Sequence, residues 1–119
     1  METKWTPERI EELMAATRKH IAEREYAQAI ADGDKELDKL MDETCDAYRD
    51  GATYDELKPL WDKQTRMEQS LAMRIKHFFD MVYGRGNVFC RSLRGKDYSE
   101  HYNTFREFVN GPVYNIKFN

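Results

Sequence analysis

Apolar side chains recur at steps of three and four residues between positions 10 and 82, which is the spacing of one face of an α-helix. The clearest stripe consists of Leu37, Leu40, Met41, Thr44, Cys45 and Tyr48, and Gly51 ends it. A similar stripe covers 10–30, and another covers 57–82. The sequence therefore predicts a mainly α-helical fold, a bundle of three long amphipathic helices.

Signals for helix ends place the first two helices at 7–31 and 35–50. Thr6 can accept a hydrogen bond from the free amides of a first turn, and Pro7 occupies the position where a missing N–H is harmless. The tripeptide Asp32-Gly33-Asp34 combines a residue typical of helix C-termini with a new N-cap. We therefore expect one helix to end before this tripeptide and another to begin after it.

The third predicted helix covers 54–83. Thr53 and Glu56 form a capping box at its start. Pro59 lies too deep for the first turn, which predicts a kink or a break there. At about 1.5 Å per residue the part over 59–83 spans about 37 Å, close to the full width of a domain of this size. This length favours a bundle of long helices or a helical dimer.

After Gly86 the pattern changes and predicts a small β element. Residues 88–93 are rich in β-tolerant side chains, and 113–118 alternate between apolar and polar. We expect these two segments to pair as a two-stranded element packed against the helices. Between them, Asp97 is the N-cap of a short aromatic helix over 98–109.

Length and composition indicate one self-sufficient domain, 1–119, large enough to fold without a metal or a disulfide. Cys45 and Cys90 lie outside any Cys-x-x-Cys motif, so we expect reduced thiols. The chain shows neither a secretory signal pattern nor an apolar run of membrane-spanning length. We therefore expect a cytoplasmic protein that does not associate with membranes.

Charge is unevenly distributed along the chain. Residues 1–62, the acidic segment, carry nine Lys and Arg against seventeen Asp and Glu, whereas 63–96, the basic segment, carry eight against two. Such segregation indicates either a surface for nucleic acid or an acidic partner, or two faces that neutralise each other within one fold or dimer. The sequence leaves both interpretations open.

Three carboxylates, Asp38, Asp42 and Asp46, recur on the polar face of the predicted helix over 35–50. A charged helix face is usually a solvated face. The same spacing also makes these residues candidates for docking onto a basic partner surface.

Six cations of the basic segment are the main candidate binding residues: Arg66, Arg74, Arg85, Arg91, Arg94 and Lys96. The last four are interleaved with Phe89 and Tyr98, and cations combined with aromatic rings can bind phosphates and stack on bases. The alternative is that both rings belong to the core and that the cations pair with the acidic segment.

A second nucleic-acid signal is Gly51-x-Thr53-x-x-Glu56-Leu57, which resembles the opening of a helix-turn-helix motif. The resemblance implies that 64–69 form part of a base-reading helix. Lys58, Pro59 and Lys63 depart from the motif at the helix crossing, within the first helix and in the turn. Base recognition is therefore not carried over to this chain.

The sequence contains no recognisable catalytic motif. Gly84-Arg85-Gly86 lacks the Lys-Ser/Thr ending of a phosphate-binding loop, and no histidine lies in an HExxH motif. His20-x-x-Glu23 and His77-x-x-Asp80 place a histidine and a carboxylate on one helical face, which is more often structural than metal-binding. Cys90 has a cationic neighbour in Arg91 but no adjacent histidine that could act as its base. We expect no catalytic residue, metal or cofactor.

Two classes of function remain. We expect a non-catalytic interaction protein of the inhibitor, immunity or adaptor type, which docks onto a larger protein or nucleoprotein complex, including one that handles nucleic acid. Phage and mobile-element inhibitors, anti-CRISPR proteins among them, exemplify this class by analogy. The alternative is a DNA- or RNA-binding module that uses the basic segment. The long helical spine and the aromatic residues of 98–118 also predict a homodimer.

Overall fold

Two long helices form a hairpin along the molecule. The computed structural model describes residues 4–117 and has four helices in that range: α1 (Pro7–Arg49), α2 (Tyr54–Tyr83), α3 (Val88–Ser92) and α4 (Tyr98–Val109). α1 packs along α2, and both short helices pack against α2. The described part measures 77 × 26 × 19 Å. The prediction of a mainly α-helical fold is confirmed.

The predicted break between 7–31 and 35–50 is wrong, because α1 continues through Gly33. A Cβ atom built on Gly33 would lie 2.6 Å from Cδ2 of Leu71, so the missing side chain allows α1 and α2 to approach closely. Asp34, which was expected to cap a new helix, instead accepts a 2.7 Å hydrogen bond from the hydroxyl of Tyr98. Packing against α2 and α4 thus overrides the local stop signal.

The predicted boundaries of the helix over 54–83 are confirmed. The hydroxyl of Thr53 accepts from the amide of Glu56 at 3.3 Å, and the Glu56 carboxylate accepts from the amide of Thr53 at 3.3 Å. Gly51 adopts φ of +90° in the hairpin turn, a conformation that favours glycine. α2 runs without interruption through Pro59, so the expected break is absent from this helix.

The predicted strand over 88–93 is wrong, because this segment forms α3. The side chain of Asn87 accepts a 2.9 Å hydrogen bond from the amide of Cys90 and so caps a helical turn. Phe89 and Leu93, four residues apart, then pack against the core from one face. The β-tolerant composition did not reveal this cap.

The predicted strand over 113–118 is also wrong within the described residues, and Phe118 lies outside them. The expected alternation of burial is real, since Tyr114 and Ile116 are buried between exposed neighbours. The chain bends here, because Asn115 has φ of +52° and its amide donates to the Gly111 carbonyl at 2.9 Å. With 88–93 helical, the segment packs on the helices without a partner strand, and residues 4–117 contain no strand.

The predicted helix over 98–109 is confirmed as α4, whose N-cap Asp97 accepts from the Glu100 amide at 2.9 Å. α4 closes an aromatic core in which the ring of Phe78 contacts the rings of Phe105 and Tyr114. Further buried members are Ala27, Ile30, Ala31, Ile75, Phe79, Leu93, Val109 and Ile116. The five Tyr and Phe residues of 98–117 are all at least partly buried, so this part offers less exposed aromatic surface than the sequence indicated.

The N-terminal part of α1 projects beyond this core. Every side chain over 7–19 is exposed, and Glu23 is the first buried residue of the helix. At about 1.5 Å per residue the projecting part is about 20 Å long. The apolar stripe that was expected to be buried here remains at the surface, with Leu13 and Met14 about half exposed.

Among residues 4–117, no helix combines the length and the apolar composition needed to cross a bilayer.

Candidate functional site

Four cations line one cleft near the C-terminal end of α2. They are Lys76 of α2, Arg85 of the following turn, Arg91 of α3 and Arg94 just after α3, and we call them the basic cluster. Asp80 and Cys90 also line the cleft. The space is about 290 Å³, at the small end of the range for ligand pockets. A cleft of this size can hold a single charged group.

Asn87 ties α3 to the end of α2 and so fixes the cluster. Its amide nitrogen donates to the Asp80 carboxylate at 3.1 Å and to the Gly84 carbonyl at 2.9 Å. Its oxygen accepts from the amide of Cys90, the cap described above. Because Asn87 bonds to both helices, the cations of α3 are held beside those of α2.

The basic cluster has no ionic partner within residues 4–117. The ion pairs of the described part are local: Glu11–Arg18, Glu36–Lys39, Asp46–Arg49, Lys58–Asp62 and Lys96–Glu100. None of them joins a cation of the basic segment to a carboxylate of the acidic segment. Asp80, the carboxylate in the cleft, accepts from the Asn87 amide and lies 3.5 Å from the Cys90 sulfur.

Lys96 does not belong to the cluster, although the sequence grouped it with the three arginines. Its ammonium lies 3.8 Å from the Glu100 carboxylate at the start of α4. Lys76, by contrast, was not among the candidates. Lys76 lies four residues before Asp80 in the sequence. It reaches the other cations because the turn after α2 leads into the helix α3, where the sequence predicted a strand.

Arg66 and Arg74 lie in a second group. Together with Lys63 they line a separate groove along α2, beside Gly33 and Leu71. The six predicted cations are thus distributed between this groove, the basic cluster and the Lys96 ion pair.

The acidic candidates Asp38, Asp42 and Asp46 are exposed on α1 at steps of four residues, and the half-buried Asp34 continues this spacing; we call these four residues the acidic ladder. Desolvation raises the pKa of Asp38, and the negative charges of Asp34 and Asp42 raise it further. Asp46 forms an exposed ion pair with Arg49 at 3.5 Å. Like charges at this spacing repel each other, so the ladder costs the isolated chain some stability.

The two aromatic rings proposed to stack on bases are both engaged in the fold. Phe89 stacks on Phe79 with ring centroids 4.5 Å apart. Tyr98 donates its hydroxyl hydrogen to Asp34, and its pKa is strongly raised by burial and by this hydrogen bond. Both side chains therefore already have partners within the fold.

Cysteine chemistry at Cys90 is disfavoured. Burial raises the pKa of its thiol, and the nearby Asp80 carboxylate adds to the rise. The Asn87 hydrogen bond lowers the pKa of the thiol, but by less than burial raises it. The thiol is therefore protonated at neutral pH, whereas a nucleophile requires the thiolate.

In the first of the two predicted histidine and carboxylate pairs, both residues contact Tyr114. His20 stacks on Tyr114 with ring centroids 5.2 Å apart, and Glu23 accepts a 2.8 Å hydrogen bond from the same tyrosine. His77 is exposed. Within the described residues, no group of three or more His, Cys, Asp or Glu side chains has metal-binding geometry.

The helix-turn-helix resemblance does not extend to the structure. A base-reading helix over 64–69 requires a turn before it, and α2 is one continuous helix from Tyr54 to Tyr83. Gln64, placed on that reading face by the resemblance, is partly buried and donates to Glu68 at 3.1 Å.

No protein-family profile, curated protein sequence or solved structure matches this chain. The class that the described residues define is that of a small, mainly α-helical protein with a fixed basic cleft and a projecting helix. Its function has to be inferred from these two surfaces.

Proposed function

We propose that this chain is a non-catalytic interaction protein whose basic cluster docks onto an acidic surface of a larger protein or nucleoprotein complex. The single observation that carries the proposal is that Lys76, Arg85, Arg91 and Arg94 line one cleft with a single carboxylate, Asp80, and form no ion pair within residues 4–117. Four cations beside one carboxylate repel each other on balance, so the fold gains when a partner supplies further carboxylates.

The carboxylate side chain of a partner fits the cleft. Arginine presents several N–H donors in a rigid fork that matches the two oxygens of a carboxylate or phosphate. Arg91 and Arg94 are three residues apart and line the same cleft with Arg85. An Asp or Glu side chain of the partner could therefore bind to more than one guanidinium group in the same cleft.

The nucleic-acid alternative has less support. A strand that tracks a protein surface needs a continuous row of cations, and bases need exposed aromatic rings. Here the cations are divided between the basic cluster and the groove of Arg66 and Arg74. Phe89 and Tyr98 contribute to internal contacts instead. The acidic ladder would also repel a phosphate backbone.

The biological role consistent with this surface is that of an inhibitor, an immunity protein or an adaptor. Inhibitors of nucleic-acid-handling machines, including anti-CRISPR proteins, remain the analogy for such a role. We also propose self-association, through the projecting part of α1 rather than through the aromatic residues of 98–118.

The test uses two variants with the same loss of four positive charges. In the four-alanine variant, Lys76, Arg85, Arg91 and Arg94 are each replaced by Ala. In the paired-cation control, Lys39, Arg49, Lys58 and Lys96 are replaced by Ala, and these four form only exposed local ion pairs. Such pairs contribute little to stability, so the control should remain folded.

Each tagged protein is used for capture from an extract of the native host, with and without nuclease. We expect the wild type and the control to retain a protein partner after nuclease treatment and the four-alanine variant to lose it. Capture that nuclease abolishes would favour the nucleic-acid module. Equal capture by all three proteins would exclude the basic cluster as the docking site.

A further inference from the structure

The projecting part of α1 carries an apolar stripe that nothing in the described residues covers. Ile10, Met14 and Ile21 are between 45% and 50% exposed, and Thr17 lies between them on the same face. Their steps of four, three and four residues are the spacing of core positions in a two-helix coiled coil. Soluble helices rarely expose such a stripe in isolation.

The stripe and the buried face of α1 are different faces of the helix. Glu23 is buried toward Tyr114, whereas Ile21, only two residues earlier, remains half exposed. Two residues are about 200° apart around a helix. The body of the molecule therefore leaves the stripe accessible along its whole length.

The charges beside the stripe fit those of a second copy of the same helix. Glu11 follows Ile10, and Arg18 follows Thr17, so these two side chains flank the stripe on the same side, seven residues apart. In an antiparallel pair of identical helices, flanking positions of the same kind face each other. Glu11 of one copy then meets Arg18 of the other, and the symmetry repeats the contact.

We propose that the exposed stripe of α1 pairs antiparallel with the same segment of a second copy of this chain. Ile10 then lies beside Ile21 of the second copy, and Met14 lies beside Thr17, whose hydroxyl already donates to the Leu13 carbonyl at 2.8 Å. A parallel pair would not bring Glu11 of one copy and Arg18 of the other together.

Glu11 and Arg18 already form an ion pair within one copy, at 3.4 Å, with both side chains more than half exposed. An exposed pair of this kind is weak and can be exchanged for a pair between copies. Because the contact covers only about three helical turns, we expect micromolar rather than nanomolar association.

The test is sedimentation of the full chain at micromolar concentrations. We expect the wild type to sediment as a dimer of the 14.2 kDa chain. Met14→Glu should weaken self-association by about a hundredfold or more, because it places a charged carboxylate in the contact, opposite Thr17 of the second copy. The matched control is Met73→Glu, at a 63% exposed methionine of α2, which should leave the dimer intact. Circular dichroism should show unchanged helix content in both.

The orientation is tested with charge reversals. Glu11→Arg and Arg18→Glu should each weaken the dimer, while an equal mixture of the two variants should restore dimers that contain one copy of each. An ion pair confined to one copy cannot produce this rescue.

A wild type that stays monomeric, a dimer that survives Met14→Glu, or a mixture that fails to recover would each overturn the proposal. Because this surface is separate from the basic cluster, failure here leaves the docking proposal intact, and the reverse is also true.

Discussion

The hydroxyl of Tyr114 donates a 2.8 Å hydrogen bond to the carboxylate of Glu23, and both side chains are buried. One residue further along α1, Nε of Arg24 donates to the Tyr114 carbonyl at 2.9 Å. His20 stacks on the tyrosine ring. A single stretch of α1 thus fixes the C-terminal segment, and this is the point at which the helix leaves the body and begins to project.

Removing the tyrosine hydroxyl should destabilise the fold. Tyr114→Phe keeps the ring contacts but leaves the buried Glu23 carboxylate without this donor, at a cost of about 1–3 kcal/mol. Urea unfolding followed by circular dichroism measures the change. Tyr48→Phe, at a tyrosine that is 70% exposed, is the control and should change stability little. Equal stability of the two variants would show that the Glu23 bond contributes nothing.

Gly33 and Leu71 should be energetically coupled. Alanine is better than glycine in a helix by about 1 kcal/mol, so Gly33→Ala would stabilise α1 if it were alone. In the wild-type background the new methyl group would force Leu71 to move, which typically costs about 1–3 kcal/mol. In a Leu71→Ala background that cost disappears, and Gly33→Ala should stabilise by about 1 kcal/mol.

A double-mutant cycle from denaturant unfolding measures this coupling. Strictly additive effects of the two substitutions would contradict the close approach of the helices at Gly33.

Asp38 should make stability depend on pH. The raised pKa of Asp38 means that the folded chain holds this proton more tightly than the unfolded chain, so ionisation of Asp38 disfavours folding. The penalty is absent below the unfolded pKa of about 3.9 and develops as the pH rises through the folded value. Asp38→Asn should therefore raise the melting temperature at pH 7, and the gain should shrink as the pH falls toward about 4.

Asp46→Asn is the matched control, because that carboxylate pairs with Arg49. A gain for Asp38→Asn that stays constant with pH, or an equal gain for Asp46→Asn, would contradict the cause assigned to Asp38.

Helix boundaries set by neighbouring residues were predictable from the sequence. Thr53 with Glu56, and Asp97, begin α2 and α4 where expected, because a cap needs only groups within one turn. The helix end predicted at Gly33 was wrong because this glycine serves the close packing of α1 against Leu71, which is distant in sequence. The prediction of a strand over 88–93 was wrong because it relied on the β-tolerant composition of the segment and not on its one capping side chain, Asn87.

The candidate site was predictable in part for the same reason. Arg91 and Arg94 were identified as candidates because they are close in sequence and charged. They lie in one cleft with Lys76 because α3 packs against α2. No local sequence pattern predicts that packing. The exposure of Met14 was missed because periodicity reveals an apolar face but not whether a second element covers it.

Binding of the purified full chain to naked nucleic acid tests the docking claim most directly. Fluorescence anisotropy with duplex DNA, single-stranded DNA and RNA is recorded over a range of salt concentrations for the wild type, the four-alanine variant and the paired-cation control. We predict no submicromolar affinity at physiological salt, because the acidic ladder repels the backbone that the basic cluster attracts. Submicromolar binding that falls steeply with salt, is lost in the four-alanine variant and is kept in the control would contradict the account.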